Sequence, residues 1–452
     1  MESPRREPVP RSRFARRVAG IRARLTARLG GGGSGGVLRG MATLALGAGM
    51  ARAVGLAAMP LLTRLYSPDE YGVLAAFTAM VLMLTPLTTL CYGMALPLPK
   101  RDEMAVNLLA LTLGVGVIGT ALIALALWAG GPWFLRLISM EAMIPWWGLL
   151  PVALLGASVF ETLTFWATRA RTYRAIARAQ VVQTLLGVGA QILLGLAGLK
   201  PAGLLIGHTL QRGAGSFTLI APFRGRLRAL AGEVTWPRIR MLAARHKGYP
   251  LYRLPSQFLL AASAQGPLLL TSALYAAGET GQLGLALMAL AVPMSLFGHT
   301  MGRAFYGEIA AIGARRPEQV RALTHAVLKR LALVAAPAAA VLMIFGPELF
   351  ALVFGAEWEL AGRLASLLSI YLLFQFLSTP VSYILYVFDG QKLLLALNVQ
   401  RAVLVAIAFG AGHVLEMALT DTILLYSVLI SAHYAASILI TLRKIPSGTP
   451  DL

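Results

Sequence analysis

Residues 60–72 read PLLTRLYSPDEYG, and residues 267–281 read PLLLTSALYAAGETG. Each stretch contains Pro-Leu-Leu followed by the pattern L-Y-x3-E-x-G, and each joins the first two apolar segments of its half of the chain. Short apolar strings match easily by chance, but this match falls where a duplication would place it. The sequence therefore predicts two repeated halves.

The composition around these stretches is that of a membrane protein. Hydrophobic residues make up 57% of the 452 residues, charged residues only 13%, and the mean hydropathy is +0.71. A soluble domain carries about 25% charged residues, so a water-soluble globular protein is excluded. At about 20 residues per span, we predict an all-α polytopic membrane protein with about twelve transmembrane helices, over 38–63, 72–97, 104–128, 143–165, 179–198, 201–223, 248–274, 280–302, 323–346, 364–387, 393–413 and 419–442.

The longest inner loop divides these segments into six and six. Because six is even, the two lobes would share one membrane orientation and be related by a pseudo-two-fold axis along the membrane normal. Halves of this kind commonly hold a substrate between them, which favours a transporter. The predicted units are a cytoplasmic basic arm with a glycine-rich joint (1–37), an N-lobe (38–223), a cytoplasmic basic linker (224–247), a C-lobe (248–442) and a cytoplasmic tail (443–452).

The arm combines arginines with apolar residues at helical spacing, namely Phe14, Val18, Ile21, Leu25 and Leu29. This pattern predicts a basic amphipathic helix that lies on an anionic lipid surface. An organelle transit peptide is also rich in Arg and poor in acids, so that alternative stays open. Residues 30–36, GGGGSGG, predict a flexible joint before the first span.

The cations of the chain are distributed unevenly. The 40 Lys and Arg exceed the 19 Asp and Glu by a formal charge of +21. With the N-terminus inside, 32 of these cations fall on the cytoplasmic side, 4 in outer loops and 4 within spans. This distribution obeys the positive-inside rule, so we predict that both termini are cytoplasmic. The charge excess therefore reports membrane topology and gives no reason to expect a nucleic-acid partner.

Few residues suggest catalysis. The single cysteine, Cys91, excludes an internal disulfide and a cysteine metal cluster. The sequence holds no H-E-x-x-H, P-loop or D-x-D motif, and the longest outer loop, 347–363, contains three Glu and no His. We therefore predict a protein that is not an enzyme, with no catalytic residue, metal or cofactor. An integral-membrane polysaccharide polymerase or ligase stays open as the enzyme alternative, and a scaffold for envelope assembly as another.

Two regions resemble the bacterial polysaccharide-transport family, the oligosaccharide flippases of O-antigen, capsule and exopolysaccharide pathways. One is residues 60–72. The other comprises the stretches Tyr249-Pro-Leu-Tyr-Arg-Leu-Pro-Ser256, Pro267-Leu-Leu-Leu270, Gly281-Gln-Leu-Gly-Leu-Ala286, Pro293 and Phe305-Tyr306. Hydropathy and the division into six and six spans extend the resemblance over about 38–442. Related multidrug and lipid-linked peptidoglycan flippases share the fold but usually not these strings.

The resemblance implies a two-lobed exporter of the multidrug/oligosaccharidyl-lipid/polysaccharide superfamily in the bacterial cytoplasmic (inner) membrane. Its substrate would be an oligosaccharide repeat unit on a polyprenyl diphosphate, turned from the cytoplasmic to the outer leaflet by alternating access. Its partners would be this lipid-linked oligosaccharide and membrane lipids, with a polysaccharide polymerase and a chain-length regulator as further candidates. The alternative is an ion-coupled exporter of drugs, or of another lipid-linked precursor, with the same fold.

Four arginines lie within predicted spans, namely Arg52, Arg212, Arg253 and Arg401. A charge at membrane depth costs about 3 kcal/mol on insertion scales, so such residues usually face a cavity. Guanidinium groups in a cavity bind diphosphate through paired hydrogen bonds. We therefore name all four as candidate substrate-binding residues. Arg253 also lies close enough to the inner boundary to extend its side chain to the interface.

Other polar residues at membrane depth are weaker candidates. Gln257 is a candidate ligand for sugar hydroxyls, with hydrogen bonding between helices as the alternative. Glu161 is a candidate for ion coupling, or for pairing with one of the four arginines or with Arg169. His208 lacks a second ligand at metal spacing, which predicts a structural role. Because the spans hold four arginines and essentially one acid, anionic cargo is favoured over a cationic drug.

Overall fold

The structure, a computed structural model, describes residues 33–137, 140–293, 305–306, 308–309, 312–313, 316–388 and 390–446. In these ranges the chain forms helices and turns, without a β-strand. The principal helices are α1 (Gly33–Leu65), α2 (Pro68–Thr89), α3 (Asp102–Leu137), α4 (Leu149–Arg169), α5 (Tyr173–Leu196), α6 (Ala202–Gly213), α7 (Leu254–Leu274), α8 (Ala277–Pro293), α9 (Pro317–Phe354), α10 (Glu359–Val381), α11 (Gln391–Val414) and α12 (Leu419–Arg443).

Nine of the described helices are long and apolar enough to cross a membrane, which are all of these except α6, α7 and α8. The predicted sixth span is interrupted after α6 and continues as the short helix Gly215–Ile220. The predicted seventh span begins with a π-helical turn, Tyr249–Arg253, before α7. The described part of the eighth is the 17-residue helix α8. The predicted all-helical, multi-pass membrane fold is confirmed.

The two halves pack their helices in the same order. In the N-lobe, α1 contacts α5, α5 contacts α6, α6 contacts α4, and α4 contacts both α2 and α3. In the C-lobe, α7 contacts α11, α11 contacts α12, α12 contacts α10, and α10 contacts both α8 and α9. Each of these contacts in one half thus recurs between the helices six places along in the other half. The lobes meet where α2 packs against α7 and α8.

The tyrosine of the repeated motif holds equivalent helices together in both lobes. The Tyr66 hydroxyl donates to the Gln191 carbonyl of α5 over 2.7 Å. The Tyr275 hydroxyl donates to the Met417 carbonyl over 3.2 Å and lies 2.6 Å from the Thr422 hydroxyl of α12. Each tyrosine therefore fastens the end of the first helix of its lobe to the last helices of that lobe.

The glutamate of the motif caps the helix that follows it. The Glu70 carboxylate accepts from the Ser67 N–H over 2.8 Å, and the Ser67 hydroxyl accepts from the Glu70 N–H over 3.4 Å. In the second copy the Glu279 carboxylate accepts from the Ala276 N–H over 3.2 Å. Both carboxylates satisfy N–H groups that a helix N-terminus leaves unpaired. Ser67 and Glu70 together form a capping box at the start of α2.

The glycine of the motif lies where α2 and α8 cross. A Cβ on Gly72 would overlap the Ala277 carbonyl, and a Cβ on Gly281 would overlap the Pro68 carbonyl. Small residues let helix backbones approach closely in membranes. The two repeated glycines therefore allow direct backbone contact between the lobes, each against the residues that begin the other helix.

We call the end of the bundle that carries residues 224–247 the linker face, and the end that carries the two motif loops the opposite face. One apolar core joins both lobes near the opposite face, and it includes Phe77 and Trp358. The Trp358 indole N–H also donates to the Thr63 carbonyl of the N-lobe over 3.1 Å. Toward the linker face, Trp166 and Ile384 belong to separate clusters, one in each lobe. The described lobes are therefore closed together at the opposite face.

The linker packs on the N-lobe. The Asn107 side chain, fully buried, donates to the Glu233 carbonyl over 2.8 Å and accepts from the Thr235 N–H over 2.9 Å. Asp102, at the start of α3, pairs with Arg226 of the linker. The linker helix Trp236–Arg245 contacts α3 as well. These contacts make the linker a part of the N-lobe surface.

We expect Asn107→Ala to release the linker from the N-lobe. The substitution removes both hydrogen bonds to the linker backbone, each of which contributes about 0.5–1.5 kcal/mol. Trypsin should then cleave the arginine-rich linker at least tenfold faster in the detergent-purified protein. Asn398→Ala is the matched control, because the Asn398 side chain has no hydrogen-bond partner among the described residues. Equal cleavage rates in the two variants would contradict this role.

Residues 1–32 of the predicted basic arm lie outside the part of the chain that the structure describes. The helix α1 begins at Gly33, inside the predicted glycine-rich joint, so Gly33–Gly36 is helical rather than a flexible loop. Glycine in a helix costs about 1 kcal/mol relative to alanine. The helical hydrogen bonding of the long apolar run that follows extends back through these four residues despite that cost.

Candidate functional site: a cavity between the lobes

Two adjoining cavities lie between the lobes and share His208 and Gln211 of α6. The first, which we call the linker-half cavity, has a volume of about 580 Å³ and is lined by α2, α4, α5, α6 and α7. Thr85, near the end of α2, places it in the half toward the linker face. The second, the opposite-half cavity, has about 390 Å³ and is lined by α1, α2, α5, α6 and α8. Tyr71, near the start of α2, places it toward the opposite face.

Arg212 lines the linker-half cavity and is oriented by His208, one helical turn earlier. Its Nε–H donates to His208 Nε2 over 3.1 Å. This geometry assigns the lone pair to Nε2 and the ring proton to Nδ1, so the imidazole is neutral. His208 is buried, edge to face with Phe77 at a ring distance of 6.0 Å. No other described residue bonds the guanidinium of Arg212, so its two terminal amino groups are available to a ligand.

Arg52 lines the opposite-half cavity. It lies near the middle of α1, and Met288 and Ala291 of α8 lie across the cavity in the C-lobe. Among the described residues its guanidinium has no hydrogen bond or ion pair. The structure thus brings two of the four predicted arginines, Arg52 and Arg212, to adjoining cavities between the lobes.

Glu161 and Gln257 line the linker-half cavity together with Arg212. Glu161 is mostly buried and has no ion-pair partner in the described part of the chain. The predicted pairing with Arg169 is wrong, because Arg169 bonds the Asp102 carboxylate over 2.8 Å instead. Arg169 is the last residue of α4, at the linker face, and Asp102 begins α3 at the same face. This placement explains why the two side chains pair.

The other two predicted arginines do not line these two cavities. Arg253 is exposed in the π-helical turn before α7, and its Nε–H group contacts Met94 Sδ at 3.5 Å. This placement at the helix end fits the interfacial alternative that its sequence position left open. Arg401 lies within the C-lobe, where it bonds Ser263 of α7 and Tyr434 of α12.

The sequence prediction missed the part that α6 plays in the cavity. His208 is more than a structural residue, because it lines both cavities and orients Arg212. Gln211 also lines both, and Gln183 faces the linker-half cavity. The available signal was spacing, since residues four apart on a helix share a face and His208 precedes Arg212 by four.

Comparison with known proteins identifies the family. A family model described as "Polysaccharide biosynthesis protein" matches residues 61–362, well over half of the chain, from the end of α1 to the start of α10. The chain belongs to this family. The suspected relation to polysaccharide transport proteins is therefore confirmed at the level of the family. No curated protein matches the sequence.

This member of the polysaccharide biosynthesis family shares its fold with solved transporters. The lipid II flippase MurJ in an inward closed conformation is 11% identical, with a TM-score of 0.61 over 89% of this chain and 88% of that chain. A multidrug resistance MATE family transporter of the MOP superfamily, in an inward-facing conformation, is 16% identical, with a TM-score of 0.58 over 89% and 94%. A MATE structure in complex with MaL6 is 13% identical, with a TM-score of 0.53 over 93% and 98%. At these identities the likeness shows the fold, and the predicted exporter fold is confirmed.

Proposed function

We propose that this protein flips a polyprenyl-diphosphate-linked oligosaccharide repeat unit from the cytoplasmic to the outer leaflet of the bacterial inner membrane. The observation that carries the proposal is the pair Arg52 and Arg212, two unpaired cations in adjoining cavities between the lobes. Membership in a polysaccharide biosynthesis family supports a glycan as the cargo. A polysaccharide polymerase and a chain-length regulator are the partners that this step would need.

The chemistry of the cavities suits a diphosphate with a sugar chain. Each guanidinium presents parallel N–H donors that match two phosphate oxygens, and exclusion of water strengthens the attraction. The amides of Gln257, Gln183 and Gln211 offer donors and acceptors to sugar hydroxyls in the same space. The polyprenyl chain would stay in lipid, because transfer of an apolar chain out of the bilayer brings no gain.

The packing of the lobes supports an alternating-access mechanism. The apolar core closes them at the opposite face, and the linker-half cavity lies on the other side of that closure. The positive-inside distribution predicts that the linker face lies in the cytoplasm. Substrate would therefore enter from the cytoplasmic side, and release would require the contact at Gly72 and Gly281 to open.

Reconstitution tests the proposal. Proteoliposomes that contain the purified protein and a fluorescent lipid-linked oligosaccharide should make the internal glycan accessible to an external lectin within minutes. Liposomes without protein should protect it. Lectin access at the protein-free rate would contradict the proposal. Export of a cationic drug without glycan movement would support the multidrug alternative, which a cavity with two unpaired arginines disfavours.

Glu161 is proposed as a coupling group, because it is an unpaired carboxylate that faces Arg212's cavity. We expect Glu161→Gln, which cannot exchange a proton, to lose the stimulation of flipping by an imposed pH gradient while keeping the basal rate. Glu348→Gln, at an exposed site, should keep the stimulation. A wild-type rate that is insensitive to the gradient, or a stimulated Glu161→Gln variant, would reject the coupling role.

A further inference from the structure

A further arginine lies inside the C-lobe, partly buried and apart from the cavities between the lobes. Arg401 of α11 donates from Nε to the Ser263 hydroxyl of α7 over 2.9 Å and from Nη1 to the Tyr434 hydroxyl of α12 over 3.2 Å. Its third nitrogen, Nη2, is buried without a partner. A buried N–H donor without an acceptor is unfavourable, and more so on a charged group, so an acceptor at Nη2 would stabilise this guanidinium.

The surrounding helices provide no countercharge at this depth. The helices α7 and α11 contain no acidic residue, and the one acid of α12, Asp421, precedes Tyr434 by 13 residues. At 1.5 Å per residue, this separation is about 20 Å along the helix. No ion pair involves Arg401 in the described part of the chain. The Tyr434 hydroxyl also accepts a hydrogen bond from the Gln375 amide over 3.3 Å.

Further polar groups without a partner lie on α12 around Tyr434. His433 Nδ1 and the hydroxyls of Ser431 and Ser437 are all buried without a hydrogen bond. The two serines lie three residues before and after Tyr434, which puts them on its side of the helix. The His433 ring contacts the Tyr434 ring at a centroid distance of 5.3 Å. Together with Arg401 these residues form what we call the C-lobe cluster.

We infer that the C-lobe cluster binds a small inorganic anion of the chloride class. A single anion would supply the missing countercharge for Arg401 and accept hydrogen bonds from its Nη2 and from the neighbouring hydroxyls. Since Arg401 already bonds α7 and α12, the anion would join three helices of the C-lobe. This site is separate from the proposed substrate cavity, because Arg401 lines neither of the two cavities between the lobes.

Thermal unfolding of the full-length, detergent-purified protein tests this inference. Sodium chloride is replaced stepwise by sodium gluconate, so that sodium and ionic strength stay constant. A chloride concentration one hundredfold above its Kd should raise the ratio of folded to unfolded protein about one hundredfold. The wild-type Tm should therefore rise with chloride, and Arg401→Gln should abolish that rise.

Further variants serve as controls, and as a second test if Arg401→Gln does not fold. Arg212→Gln and Arg363→Gln should retain the response, because one alters the central cavity and the other an exposed arginine of the C-lobe. If Arg401→Gln fails to fold, the pair Ser431→Ala and Ser437→Ala should weaken the apparent chloride affinity at least threefold. A wild-type Tm that is independent of chloride would overturn the inference. It would also be overturned if Arg212→Gln abolished the rise in Tm and Arg401→Gln did not.

Discussion

Replacement of Arg212 by Gln is expected to abolish surface polysaccharide in cells that depend on this protein. The proposed cargo carries a diphosphate, and a hydrogen bond to a charged group contributes about 1.5–3 kcal/mol. Loss of the two amino groups that face the linker-half cavity should therefore slow flipping about 10- to 100-fold. Arg52→Gln should have an effect of the same kind from the opposite-half cavity. The measurement is the amount of polymer at the cell surface, with the membrane level of each variant followed by an epitope tag.

Two substitutions separate loss of charge from loss of structure. Arg212→Lys keeps the charge but not the planar fork of donors, so it should give an intermediate rate. Arg363→Gln removes an exposed arginine and should leave the polymer unchanged. Normal polymer from both Arg52→Gln and Arg212→Gln, with normal insertion, would contradict the cationic cavity.

A methyl group added at Gly72 or Gly281 is expected to hold the lobes apart at the opposite face. The added Cβ would overlap a backbone carbonyl of the other lobe at either position. Overpacking of this kind costs about 1–3 kcal/mol, which corresponds to a shift of about 5- to 150-fold in the population of the closed state. Flipping should fall because the closed state is one of the two that alternating access requires.

Spin labels on the opposite face measure this shift. Cysteines at Arg64 and Arg363, which are exposed on different lobes, report the distance between the lobes. The native Cys91 is buried, and burial raises the pKa of its thiol to about 11, so it should react poorly with the label. Gly72→Ala should lengthen the distance distribution, and Gly189→Ala, where an added Cβ meets no atom within 4 Å, should not. Identical distributions in both variants would contradict the role of the crossing.

The repeated motif explains how much of the fold is predictable. Each of its positions serves the same purpose in both lobes: the tyrosine fastens helices, the glutamate caps one, and the glycine permits the crossing. The first two effects are local or involve helices of one lobe. The crossing is different, because the need for a glycine at residue 72 is visible only when Ala277 lies against it.

The candidate site was predictable in part. Placing an arginine in the membrane costs free energy, so every arginine within a predicted span is a candidate site residue. This criterion uses only position along the chain. Position along the chain does not show which face of a helix carries the side chain or whether the residue lies at a helix end. Arg52 and Arg212 line the cavities, whereas Arg253 lies in a helical turn toward the linker face and Arg401 lies inside one lobe. The spacing of four residues puts His208 on the same helix face as Arg212, but the hydrogen bond between them depends on side-chain rotamers that are set by packing.

The helical membrane fold, the repetition of two halves and the cations within apolar segments can all be read from the amino-acid sequence. These properties depend on composition, hydropathy and repetition, which are given by the order of residues along the chain. Tertiary packing sets which cations line the cavities between the lobes, which glycines lie at the contact between the lobes and which polar groups surround Arg401. Those outcomes depend on the rotation of each helix about its axis, and rotation is set by packing against helices that are distant in the chain.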